Sequence, residues 1–81
     1  MTLDEFVEEC QKKNGWWISK YGVIRNNDKQ CPLQAASGRR IGYRAWGEQN
    51  GLNTWAIIHA ADGDTNGPYR RALMRLVGEP T

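Results

Sequence analysis

Residues 62–67, "DGDTNG", set side-chain oxygens at alternating positions ahead of a glycine, which is how a helix–loop–helix calcium site opens. Asp62, Asp64 and Asn66 would be ligands, and Gly67 would make the sharp turn. The last position of such a loop should hold a bidentate carboxylate, but Leu73 stands there. Pro68 can start a helix where the loop should still be winding around the ion. Arg70 and Arg71 would bring positive charge close to any cation. The motif is incomplete where affinity is decided. Asp62-Gly63 reads instead as a helix stop, followed by a polar turn and a helix start at Asn66 or Gly67. No metal or cofactor is expected.

Cys31, His59 and Asp62 are the residues from which a thiol nucleophile could be assembled. His59 and Asp62 are three apart on one helical stretch, so the acid could orient the imidazole. Cys10, however, falls on an apolar stripe and Cys31 precedes a proline at a helix entry, and free cysteine usually behaves as a small buried hydrophobe. Paired spacing of the CxxC kind is absent, and one histidine would have to serve every role. The chain is therefore expected to be non-enzymatic.

The basic residues point elsewhere. Arg70, Arg71 and Arg75 are expected on the face of the last helix opposite its core stripe. Arg39, Arg40 and Arg44 stand at the two ends of the "RRIGYR" segment, with Tyr43 and Trp46 beside them. Arginine next to aromatic rings can grip phosphates, stack on bases or anchor a protein interface. An ordinary solvated face has the same composition. The partner-binding candidates are Arg39, Arg40, Arg44, Trp46, Arg70, Arg71 and Arg75.

These residues must be held by a small frame. Thr2-Leu3-Asp4-Glu5 forms a capping box. Leu3, Phe6, Val7 and Cys10 follow at the spacing of one helical stripe, with acids in the first turns, Lys12 and Lys13 in the last, and Asn14-Gly15 as the stop. "WWISKYGVIR" has the β-branched and aromatic content of a hairpin, with Gly22 at the left-handed position of its loop. "NNDKQ" is a polar turn. Pro32 can open a short helix through "PLQAAS" to Gly38. "RRIGYR" fits a basic loop, a third strand or a helix entry. Asn53 can cap a helix over about 54–62 that is apolar nearly all round and so central. Pro68 opens the last helix, with Tyr69, Ala72, Leu73, Leu76 and Val77 as its stripe and Gly78 as its stop. The fold class is α+β: an N-terminal helix, a short β-hairpin and three to four short helices in one domain spanning 1–81. Among the four tryptophans, Trp17 and Trp55 are expected in the core, leaving Trp16 or Trp46 as an outward anchor.

Composition sets the outer bounds. The chain has 81 residues, and a catalytic cleft would remove much of so small a core. Two cysteines are too few for a disulfide framework, and "MTLDEF" is not an export signal, so reduced thiols and a cytoplasmic setting are expected. The longest apolar run, Trp55 to Ala61, is too short for a membrane span. Net charge is +2 but uneven. Residues 1–10 carry four acids and no base, while the rest carries all eleven bases.

Across most of the chain, short signatures recur in a definite order. They are Phe6…Glu9-Cys10, Trp17…Gly22-Val23-Ile24-Arg25, Cys31-Pro32-Leu33-Gln34-Ala35-Ala36, Ala60-Ala61-Asp62-Gly63 and Arg70-Arg71-Ala72-Leu73. That order resembles a loose group of small phage- and prophage-encoded proteins. The resemblance implies a compact protein of the bacterial cytoplasm, acting on a host protein or ribonucleoprotein complex. By analogy, its sharpest form is an anti-CRISPR inhibitor of a Cas effector complex. Many such inhibitors are acidic nucleic-acid mimics, and the basic balance here departs from that pattern. The alternative is direct binding of nucleic acid through the same arginines, as in a DNA-binding regulator. No membrane partner is expected.

Overall fold

The computed structural model describes residues 1–13 and 15–78. In chain order the elements are α1 (Leu3–Gln11), β1 (Trp17–Ile18), β2 (Ile24–Arg25), α2 (Pro32–Ser37), α3 (Tyr43–Gln49), α4 (Thr54–Ala61) and α5 (Pro68–Met74). A 3-10 turn, Arg75–Val77, follows α5. The fold is α+β, an N-terminal helix and a two-stranded antiparallel hairpin followed by short helices. No helix is long and apolar enough to cross a membrane among the described residues.

Local chemistry explains the helix starts. The Thr2 hydroxyl accepts from the Glu5 amide at 3.1 Å, and Glu5 accepts from the Thr2 amide at 2.8 Å, which closes the capping box. Those hydrogen bonds favour the charged carboxylate and hold the Glu5 pKa below its ordinary value. The second capping box is built on a thiol. Cys31 Sγ accepts from the Gln34 amide at 3.5 Å while Gln34 Oε1 accepts from the Cys31 amide at 3.2 Å. Asn53 caps α4 through the Ala56 amide. α1 stops at Gln11, immediately before the expected lysines. Lys12 lies beyond the helix and pairs with Glu9 at 2.9 Å. Of the expected stop signal, Asn14 lies outside the described residues.

The hairpin pairs Trp17 with Arg25 and Ile18 with Ile24. Its loop is closed by the Gly22 amide donating to Ser19 O. The "NNDKQ" turn is organised by one buried side chain, Asn26. Its Oδ1 accepts from the amides of Asp28 and Gln30, both at 3.0 Å, and its Nδ2 donates to Gln30 Oε1 at 2.9 Å. Burying an amide is costly unless its polar atoms are partnered, and here they are.

The core joins Phe6, Val7 and Cys10 of α1 to Ile24, Leu33, Leu52, Ile57, Ala60, Ala61, Ala72, Leu73 and Leu76. The tryptophans reverse the expectation. Trp16 and Trp46 pack against this core, whereas Trp17 is partly exposed and Trp55 is 62% exposed. Helical phase gives the reason for Trp55. The buried residues of α4 are Ile57, Ala60 and Ala61, and a residue two before Ile57 points the opposite way. In the hairpin, Trp16 Nε1 donates to Cys10 O at 3.0 Å, and its neighbour must then face outward.

α3 comes close to α2 and α4 at Gly47, where an added Cβ would lie 2.6 Å from Thr54 Cγ2 and 3.1 Å from Leu33 Cδ1. Alanine gains about 1 kcal/mol of helix propensity over glycine, but overpacking costs about 1–3 kcal/mol. Gly47→Ala is therefore expected to lower the urea midpoint. In a Thr54→Ser background, which lacks that methyl group, the same change should become neutral or stabilising. A stabilising Gly47→Ala in the wild-type background would show that Thr54 yields freely.

Candidate functional site

The structure separates the seven candidate contacts. Arg70 is structural: its Nη1 donates to Ala60 O at 2.8 Å, satisfying a carbonyl at the end of α4. A Cβ at Gly22 would lie 3.4 Å from Arg70 Nη2, so the guanidinium also lies against the hairpin loop. Arg75 reaches the opposite way, to Asp4 Oδ1 at 2.8 Å and to Ala72 O at 3.3 Å. Arg71 is exposed. The expected single arginine face on α5 is thus replaced by three side chains with three different surroundings. Trp46 is half-buried against the core, and its ring supports α3.

Arg39, Arg40 and Arg44 do stay together, on the loop between α2 and α3 and the first turn of α3. The ambiguous segment resolves as a basic loop over 39–42 leading into a helix. All three arginines are exposed, and among the described residues their side chains make no hydrogen bond or ion pair. The loop is braced at its N-terminal end. Ser37 Oγ donates to Gln34 O and accepts from the Arg39 amide, both at 3.1 Å. Gly38 and Gly42 take left-handed conformations, φ +70° and +81°, that a side chain would strain. At the tip, Ile41 is 87% exposed. No sequence signal marked Ile41 out beyond its position between Arg40 and Gly42.

The remaining candidates are engaged internally. Asp62 Oδ1 meets Arg25 Nη2 at 2.8 Å, and Asp64 Oδ2 meets His59 Nδ1 at 3.1 Å. Asn66 is exposed, and Leu73 is fully buried, so the position that should close a calcium loop lies in the core. Among the described residues no group of three His, Cys, Asp or Glu is placed to hold a metal ion. Asp62 does not orient His59. That role falls to Asp64, because the chain turns back after α4 and the Asp64 amide donates to His59 O at 2.9 Å. Cys31 Sγ is held in its capping box, far from the arrangement a nucleophile would need. Cys10 is buried with its thiol donating to Pro32 O at 3.3 Å. Burial, with smaller contributions from Cys31 and Glu9, pushes its pKa up to about 12.

A second surface feature was missed because Trp55 was expected inside. Trp55 and His59 pack ring on ring, centroids 4.3 Å apart and tilted by 38°, and Asp64 fixes the imidazole. Spacing alone left this feature hidden, because Trp55 pairs with Ile58 at i, i+3 as well as Ile57 does with Ala60.

What the exposed loop can do is bind anions. Guanidinium groups match carboxylate and phosphate oxygens in paired geometry, and three of them within six residues create a local positive field. Compared with family models, with curated proteins and with solved structures, the chain matches none.

Proposed function

We propose that this chain is a non-enzymatic interaction protein that docks on a host protein or ribonucleoprotein complex and inhibits it through the 39–44 loop. The observation that carries the reading is the cluster of Arg39, Arg40 and Arg44, without internal partners, on a braced loop. Internal ion pairs engage Asp4, Glu9 and Asp62, and His59 meets Asp64, while these cations stay in solvent. Inhibition of a CRISPR effector complex is the sharpest form of the proposal, resting on the resemblance of the signature order to small phage and prophage proteins.

The test uses the Arg39→Gln/Arg40→Gln/Arg44→Gln protein, whose substitutions touch no internal bond. It should melt like wild type but lose at least tenfold in retention of its partner from bacterial lysate, since charges at an interface govern encounter and specificity. In a CRISPR interference assay, wild type should restore phage plating and the triple variant should not. Arg71→Gln should change neither readout. Direct nucleic-acid binding is the competing outcome. It would appear as micromolar binding to a 20-base-pair duplex or a 20-nucleotide RNA that weakens steeply with salt. Full activity of the triple variant would overturn the proposal.

A further inference from the structure

Resting on the docking role of the 39–44 loop, we infer that its partner is a protein, and that the partner presents an apolar socket rimmed by carboxylates, with Ile41 as the anchor that enters it.

A single exposed apolar side chain is ordinary on a protein surface. Ile41 differs by its position. It is the most exposed of the large hydrophobic residues in the described structure, and it stands between Arg40 and Gly42 with Arg39 and Arg44 close in sequence. Any partner that neutralises the arginines is brought up against this side chain. The partner must therefore accept an isoleucine that stands next to three exposed arginines in the chain. An apolar centre enclosed by a polar rim is the usual anatomy of a protein hot spot, where the rim excludes water from the anchor. Opposite charge on the other side places Asp and Glu around the socket.

Nucleic acid fits less well. A phosphate backbone has no apolar surface to receive Ile41. A groove accepts such a wedge only where base steps are unstacked, and proteins that do this recover the energy by wrapping bent DNA over a large surface. Two arginines and an isoleucine on a four-residue loop do not supply that surface. The Ser37 hydrogen bonds hold the entry to the loop, which reduces the conformational freedom lost when it docks.

The test places a photo-crosslinker beside the anchor and leaves Ile41 intact. Ala45→p-benzoylphenylalanine sits at an exposed position of α3. The full chain is irradiated in bacterial lysate at physiological salt, and the adducts are mapped by mass spectrometry. The expected adduct is a protein segment with Asp or Glu flanking apolar residues. Ile41→Ser should weaken it about tenfold to a hundredfold, the range set by burying one isoleucine side chain. Ile41→Val should restore most of it, and neither variant should shift the melting temperature. An adduct retained in Ile41→Ser but lost in the triple-arginine variant overturns the anchor and leaves the docking role standing. An adduct with nucleic acid overturns the protein socket. No adduct, or one indifferent to both variants, overturns the socket and the docking role together.

Discussion

Phe6→Ala will remove about 3–5 kcal/mol of folding stability, the range for truncating a buried phenylalanine. Phe6 is fully buried in the middle of the α1 stripe, and α1 packs on α2, α5 and the 3-10 turn, so this ring joins the N-terminal helix to both later parts of the chain. A domain of this size has about 4–12 kcal/mol in total at ordinary per-residue stability. That loss is a quarter or more of the total, enough to unfold the chain at the low end of the range. Urea denaturation followed by circular dichroism should show a much lower midpoint with an unchanged slope. Phe6→Leu, which keeps most of the volume, should lose less than about 1.5 kcal/mol. A loss below about 1 kcal/mol in Phe6→Ala would mean that neighbouring side chains collapse into the space, contrary to the general cost of core cavities.

The same helix shows why much of the fold was legible. Thr2, Glu5 and the Leu3–Cys10 stripe act locally, and their effect does not depend on the rest of the chain. Pro32, Gly38, Asn53, Pro68 and Gly78 likewise mark boundaries by backbone chemistry alone. The misreadings concern direction. Sequence spacing showed that α4 was rich in apolar residues, but Ala56 and Ile58 disguised which side was buried, so Trp55 was placed inside. A stricter helical phase based on Ile57, Ala60 and Ala61 puts it outside.

The candidate site was half legible for a related reason. Arginines could be counted along the chain, but their partners are long-range. Arg75 meets Asp4, 71 positions away, and Arg70 meets a backbone carbonyl of another helix. The Asp4–Arg75 pair is exposed and stabilises the fold by at most about 1 kcal/mol. Its larger consequence is electrostatic, because it matches an acid of α1 against a base of the C-terminal turn. The uneven charge of the linear sequence is thereby partly cancelled in space. Among the described residues, Arg39, Arg40 and Arg44 are the longest exposed run of arginines that meet no internal acid, and Arg71 stands alone on α5. The opening hexapeptide has the opposite fate. Both of its aspartates have cationic or imidazole partners within the fold, so "DGDTNG" connects α4 to α5 and fixes His59 beside Trp55.

Alkaline pH should weaken the protein through Cys10, and the sign follows from which state holds the proton. Burial, reinforced by Cys31 and Glu9, raises this thiol from its ordinary 9.0 to about 12 in the folded chain. Below pH 9 both states keep the proton, and Cys10 adds no pH dependence. Between about 9 and 12 the unfolded chain releases it while the folded chain retains it. Unfolding is then drawn forward, and stability falls by about 1.4 kcal/mol per pH unit. At pH 11 the loss from this one group should reach about 2–3 kcal/mol. The informative quantity is the difference between wild type and Cys10→Ala, which isolates this thiol. Alanine should impose a constant penalty below pH 9, from the lost sulfur contacts and the bond to Pro32 O. That penalty should shrink steadily above pH 9 in urea titrations. A difference that stays flat to pH 11 would show that the folded thiol ionises normally and that the core admits water around it. The same burial implies a kinetic counterpart. Iodoacetamide needs a thiolate, so at pH 8 it should modify Cys10 only as fast as α1 opens from the core.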